Sequence, residues 1–282
     1  MIPFQPHPEV WLLVASLVGL AIYAVRVVGP KAVPAGSPVV TRRQIAWFTA
    51  GVLTLWAASD WPIHDIAEER LYSVHMAQHL MLSYMAAPMF LKATPTWLAR
   101  LVARGRWTAV ALSPVFAGVF YNAVIVFTHW PAVVNQSVAN GPEHYGLHVL
   151  VMLASLLMWS PVCGPLPERR ISLPAQMLYL FCMTIVPTIP SAWLIFAEGS
   201  VYHAYDIPQR LWGLSVTTDQ QIAGVEMKLI AGFFLWGLIM ALFFKWAARN
   251  EKANKAGRTL TERQILLWDD VKDELTAEAA KN

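Results

Sequence analysis

Charge is scarce in this chain. Only 14% of its 282 residues are Asp, Glu, Lys or Arg, while 56% are hydrophobic. An ordinary globular domain carries about 25% charged residues, so a soluble fold is a poor match and a bilayer a good one. The net charge of +3 lacks the basic excess of a nucleic-acid binder. Cysteine is scarce too. Cys163 and Cys182 form no CxxC or CxxxC pair, which argues against a paired-thiol metal site and leaves two small buried hydrophobes. No Lys or Arg occurs between Met1 and Glu9, which makes a poor secretory leader. The first apolar segment is therefore expected to be a retained helix. Internal repeats and low-complexity tracts are absent.

What is present is long apolar runs. A spanning helix needs about 20 mostly apolar residues. Segments near 10–29, 44–61, 73–91, 108–129, 146–163, 173–197 and 222–246 meet that description. The expected fold class is an all-α integral membrane protein, a seven-transmembrane helix bundle occupying residues 1–248. Arg26, Lys31, Arg42 and Arg43 crowd the first connection, Lys92, Arg100, Arg104 and Arg106 the third, and Arg169 and Arg170 the fifth. The even-numbered connections hold only Arg70 and Arg210. The positive-inside rule then predicts an outside N-terminus and a cytoplasmic C-terminus. The tail, 249–282, is polar. Thr259 and Glu262 have capping-box spacing ahead of Ile265, Leu266, Trp268, Val271 and Leu275, which predicts a short amphipathic helix.

The eight histidines all fall on the predicted outer side. His75 and His79 are i, i+4 on the third helix and so share a face. His144 and His148 repeat the spacing at the start of the fifth. His129 ends the fourth. Imidazole suits copper, zinc, iron or nickel, and ligation requires the unprotonated ring. The candidate metal ligands are His75, His79, His148, His129 and His144, with Asp60 as a carboxylate ligand or as the acceptor that orients a ring. His7, His64 and His203 are better read as satisfied polar groups. Met76, Met152 and Met227 lie at similar depth and offer thioethers to Cu(I). Asp219 and Gln220 are expected to brace the start of the seventh helix. Pro187 and Pro190 predict a kink in the sixth, with Thr188 or Ser191 taking up freed carbonyls.

These residues resemble a known family. The run His75-Met76-Ala77-Gln78-His79-Leu80-Met81-Leu82 is similar to the signature of the membrane assembly factors of caa3-type cytochrome c oxidase. Asp60-Trp61-Pro62, His129-Trp130-Pro131, His144 to His148 and Asp219-Gln220-Gln221-Ile222-Ala223-Gly224 fit the same pattern in order. The resemblance spans about residues 40–245. It implies a multi-pass protein of the bacterial plasma membrane that helps mature the oxidase's copper centres. It further implies a non-enzymatic factor that binds copper, expected as Cu(I), on the extracytoplasmic side. That factor would pass copper to an apo cytochrome c oxidase subunit, with an extracytoplasmic copper donor upstream.

Three other readings remain open on the residues alone, one of them a purely structural scaffold with no metal. A membrane zinc hydrolase would use the histidines with Asp60 and Ser73 around a metal-bound water. A haem-binding redox subunit would use two imidazoles at equal depth. A retinal protein is set aside, because Lys228 and Lys245 lie at the ends of the seventh helix instead of its middle.

Overall fold

The computed structural model describes residues 4–280, with the side chains of 257–267, 269 and 270 outside the description. Among the described residues the chain is helical and has no strand. We number the elements α1 (Pro8–Ala32), α2 (Arg42–Ser59), α3 (Ile63–Glu69), α4 (72–93), α5 (Thr96–Val102) and α6 (Arg106–Ala111). There follow α7 (Pro114–Thr128), α8 (Pro131–Val138), α9 (Gly141–Cys163), α10 (Leu173–Ile195) and α11 (216–279).

Four described helices are long and apolar enough to cross a membrane: α1, α9, α10 and Val216–Ala256 of α11. A fifth is reached if α7 and α8, bent by 68° at His129–Trp130, count as one span. The count is therefore four to five by length and composition, not the expected seven. Two of the differences have simple causes. Ser113 caps α7 by accepting a hydrogen bond from the Phe116 N–H, and Pro114 starts the helix anew, so the fourth segment begins at 114 instead of 108. The helix α4 carries Ser73, His75, Gln78, His79 and Ser83, which lowers its hydropathy. It tolerates them because α2, α3, α9 and α11 pack around it and shield it. Large apolar side chains instead point outward from the long helices, among them Leu12 and Leu20 of α1, Leu153 of α9 and Phe233 of α11. Apolar surface of this extent belongs against lipid.

Two devices fix α4. A one-turn π-bulge at Met81–Ala86 loosens the carbonyl ladder, and the Trp159 indole N–H of α9 donates to Ser83 O at 2.8 Å. At its other end the first turn of α4 is capped from α11. Asp219 accepts from the Tyr72 N–H (2.8 Å), the Ser73 N–H (3.1 Å) and the Ser73 hydroxyl (2.6 Å). Asp219 was expected to brace its own helix. Ser215 caps α11 instead, through the Thr218 N–H, which frees Asp219 to reach across. Arg210 Nη2 lies 3.6 Å from Asp219 and balances its buried charge.

The neighbouring residues are clamps as well. Gln220 accepts from the Val201 and Tyr202 N–H groups and donates to Tyr202 O, which holds the 197–215 loop. Gln221 donates to Ala197 O at the end of α10. Gly224 is a contact point, where an added Cβ would stand 2.9 Å from Leu194 Cβ and 2.9 Å from Ser191 O. Ser191 donates to Gly224 O at 2.8 Å, so α10 and α11 approach backbone to backbone. The helix α10 breaks at 184–187 as its prolines predict, and Thr188 donates to the freed Thr184 O.

The tail differs from expectation. The helix α11 runs on without a break to Ala279, so no new helix starts near Thr259. No proline interrupts 247–279, and its Ala, Lys, Arg and Glu residues favour continuation. The Thr259–Glu262 capping contact, Ile265 and Leu266 lie outside the described side chains. Trp268, Val271 and Leu275 are exposed.

Two substitutions test this reading by thermal unfolding in detergent. Gly224→Ala is expected to cost about 1–3 kcal/mol through overpacking, while Gly237→Ala, whose Cβ would meet nothing within 4 Å, leaves the midpoint unchanged. Asp219→Ala is expected to cost about 2 kcal/mol or more, as a lost cap that also leaves Arg210 uncompensated.

Candidate metal centre

Three imidazoles converge beneath the cap of α4. One ring nitrogen from each of His75, His79 and His148 lies within 4.8 Å of the other two. His75 and His79 face the same way because they are one helical turn apart. His148 enters from α9, which packs along α4. The rings sit 4.4 Å apart for His75 and His79, 4.9 Å for His79 and His148, and 5.7 Å for His75 and His148. Tyr72, itself held by Asp219, stacks on His75 at 5.5 Å.

These rings are buried without ordinary partners. Both nitrogens of His79, Nδ1 of His75 and Nε2 of His148 are buried and accept or donate no hydrogen bond. A buried polar atom left unpaired costs about 1–3 kcal/mol, and a native fold has few of them. Here four such atoms are gathered on rings that touch. Lone pairs from neutral imidazoles converging on one point are the donor set of a metal ion that favours nitrogen.

His129 and His144 flank this group on different sides. His129 follows α7, and its Nδ1 lies 2.7 Å from Ile125 O. A carbonyl can only accept, so Nδ1 carries the proton and Nε2 keeps its lone pair. That Nε2 is buried and unpaired, on a ring 6.5 Å from that of His79. The Tyr202 hydroxyl donates to His129 O and fixes the bend. A cavity of about 20 Å³ lies between His79 and His129, lined also by Met76 and Met227, with room for about one small occupant. His144 lies 4.5 Å from His148 and 5.4 Å from His75, ring to ring.

Asp60 is not part of this convergence. Its carboxylate accepts from the indole N–H groups of Trp11 (3.0 Å) and Trp56 (2.6 Å) and from the Trp61 N–H. The aspartate tethers α1 to α2. Its position in a Trp-rich interfacial setting, which spacing does not reveal, is why it read as a ligand. His203 is exposed on the 197–215 loop. His7 is a satisfied group as expected. Its Nδ1 faces Glu9 at 3.0 Å and its Nε2 faces Asp65 at 3.2 Å. Burial alone would depress its pKa, but the two carboxylates outweigh it and raise the value.

Glu68 and Asp65 are the neighbours that sequence reading missed. Glu68 Oε1 stands 3.1 Å from His64 Nε2 and 2.9 Å from His144 Nε2. His64 and Glu68 are i, i+4 on α3, the same spacing that flagged the other pairs, and this was the available signal. Burial raises the Glu68 pKa, but the imidazoles of His144 and His64 reverse the sign and hold it below the usual glutamate value. Burial depresses the pKa of His64. An apolar cavity of about 820 Å³ between α1, α2 and α9 reaches His64, Gln78 and His148 from the side of the bundle.

A comparison with protein families matches residues 21–249 to the cytochrome c oxidase caa3 assembly factor. No curated protein and no solved structure matches the chain. The match covers the bundle, including every histidine except His7. The chain belongs to the cytochrome c oxidase caa3 assembly factor family.

Proposed function

We propose that this assembly factor binds copper through His75, His79 and His148 and helps deliver it to an apo cytochrome c oxidase subunit. The observation that carries this reading is the convergence of three imidazole nitrogens within 4.8 Å, among ring atoms that have no other partner. Copper, held as Cu(I), is the cargo. The low coordination that Cu(I) accepts suits release by ligand exchange. His129 and His144 are alternate ligands during loading and release. The thioethers of Met76 and Met227, which line the cavity beside His79, favour the soft ion.

The site lies at the membrane's extracytoplasmic side, in a bacterial plasma membrane, if the Lys/Arg bias of the loops sets the orientation. Seven crossings with a cytoplasmic tail are the topology consistent with that bias. The lateral apolar cavity reaching His148 gives a client subunit a route to the imidazoles from within the bilayer, and an extracytoplasmic donor would load them from the aqueous side.

The hydrolase reading draws no support from the residues it would use. The Ser73 hydroxyl donates to Asp219 and Asp60 is engaged by two tryptophans. The haem reading needs a porphyrin-wide gap between facing rings, whereas these rings pack at 4.4–5.7 Å.

Elemental mass spectrometry tests the proposal on protein purified anaerobically in detergent with copper and zinc both supplied. Copper near stoichiometric in the wild type, and lost in His75→Ala/His79→Ala, is the expected result. Zinc retained in place of copper would overturn it in favour of the hydrolase. Asp219→Asn provides a second check, since Asp219 holds α4 and touches no proposed ligand atom. It is expected to weaken copper binding by roughly 10–100-fold, the usual effect of losing a group that orients ligands, read by competition with a Cu(I) chelator.

A further inference from the structure

The three-imidazole centre is not the end of the polar path. Between it and the rim stands Glu68, with a side chain 30% exposed. Its Oε1 is shared by His64 and His144, at 3.1 and 2.9 Å. Neither approach is aligned as a hydrogen bond, and both Glu68 Oε1 and His144 Nε2 are buried without a hydrogen-bond partner. His144 is only 3% exposed and His64 is likewise 3% exposed. These are close nitrogen–oxygen pairs whose facing atoms lack an aligned hydrogen bond. They are close to the spacing of two ligands on one ion, about 3.3 Å for metal–ligand bonds of about 2.0–2.2 Å.

We propose that Glu68, with His64 and His144, forms a second metal position, an entry site that receives the ion at the rim and hands it to the three-imidazole centre. The inference rests on the copper-binding reading given above. His144 belongs to both positions, because its ring is in contact range of His148 and His75 on one side and its Nε2 faces Glu68 on the other. His64 and His144 are not part of one tight three-ligand group, so Glu68 acts as the pivot. An ion held between His64 and Glu68 moves to Glu68 and His144, then to His144 and His148, by exchanging one ligand at a time. No electron is transferred, since each step only exchanges one ligand for another on the same ion. The mouth favours a cation. Asp65 and Glu9 stand on either side of His7, the His7 ring packs edge-on against His64 at 4.8 Å, and the Asp65 Oδ2 atom is buried with no partner. Fixed negative groups at an opening raise the local concentration of counter-ions and their rate of entry.

The test is to titrate the full-length protein in detergent micelles with Cu(II) and count bound ions by electron paramagnetic resonance and equilibrium dialysis. Two ions per chain are expected in the wild type, and one in Glu68→Gln, with helix content and elution volume unchanged. His79→Ala is expected to hold one ion as well, the one at Glu68. In the wild type, two Cu(II) ions held this close together should couple through space and give a half-field resonance that either variant abolishes. This readout needs no folded variant to establish the pair. A single ion in the wild type, or two in Glu68→Gln, overturns the entry site. If His79→Ala retains both ions while Glu68→Gln loses one, the entry site stands and the three-imidazole reading fails.

Discussion

The carboxylate of Asp219 is the constraint on which the rest of this bundle depends. A helix as polar as α4 is costly in a membrane unless other helices cover it and something fixes its rotation and depth. Asp219 supplies both from a neighbouring element, because three donors at residues 72 and 73 meet one buried carboxylate. Hydrogen bonds to a charged group are stronger than neutral ones, and their loss here would leave a buried charge with Arg210 alone. The next two glutamines tie the same stretch of α11 to the 197–215 loop and to the end of α10. The run Asp219-Gln220-Gln221 thus joins three elements around the N-terminal turn of α4, and Gly224 lets the backbones close. The motif is a clamp between elements, and it bears on the candidate metal centre by holding Tyr72, His75 and His79 in place.

Much of the site was legible because helical periodicity is a hard geometric rule. Residues i and i+4 share a face whatever the rest of the fold does, so His75 with His79 and His144 with His148 could be paired from spacing alone. Their convergence required knowing that α9 packs along α4, which no spacing encodes. The loops were less legible. The partners of Asp60, Glu68 and Asp219 lie 49, 76 and 147 residues away, and a polar residue near a helix end reads the same whether it caps, tethers or ligates. The fold was legible where helices face lipid and obscure where they do not. Composition identifies α1, α9, α10 and α11 directly. The central helix, the one that matters most, looks least like a span because it is shielded from the bilayer.

The unpaired imidazoles are themselves an argument about selection of structure over stability. Four buried ring nitrogens without partners amount to several kcal/mol at about 1–3 kcal/mol each, comparable with the marginal stability of a whole domain. Apolar residues of similar volume would fill the same space more cheaply. The proposed copper ion would satisfy them, and the clamps around α4 hold the rings in place.

The donors also change character along one direction. At the rim they are carboxylates, Glu68 with Asp65 and Glu9 nearby. In the centre they are imidazoles alone. Beyond His79 the small cavity is bounded by His129 and two methionines. Oxygen, then nitrogen, then nitrogen with sulfur is an order of increasing softness. A hard ion such as Mg²⁺ or Ca²⁺ is matched best by the oxygen end of that series, and the proposed Cu(I) by its nitrogen and sulfur end. The rim can therefore be attractive to cations in general without making the protein a general cation binder. Under the copper reading proposed above, discrimination would reside in that gradient and not in any one ligand, with the rings of His144 and His79 keeping the steps short.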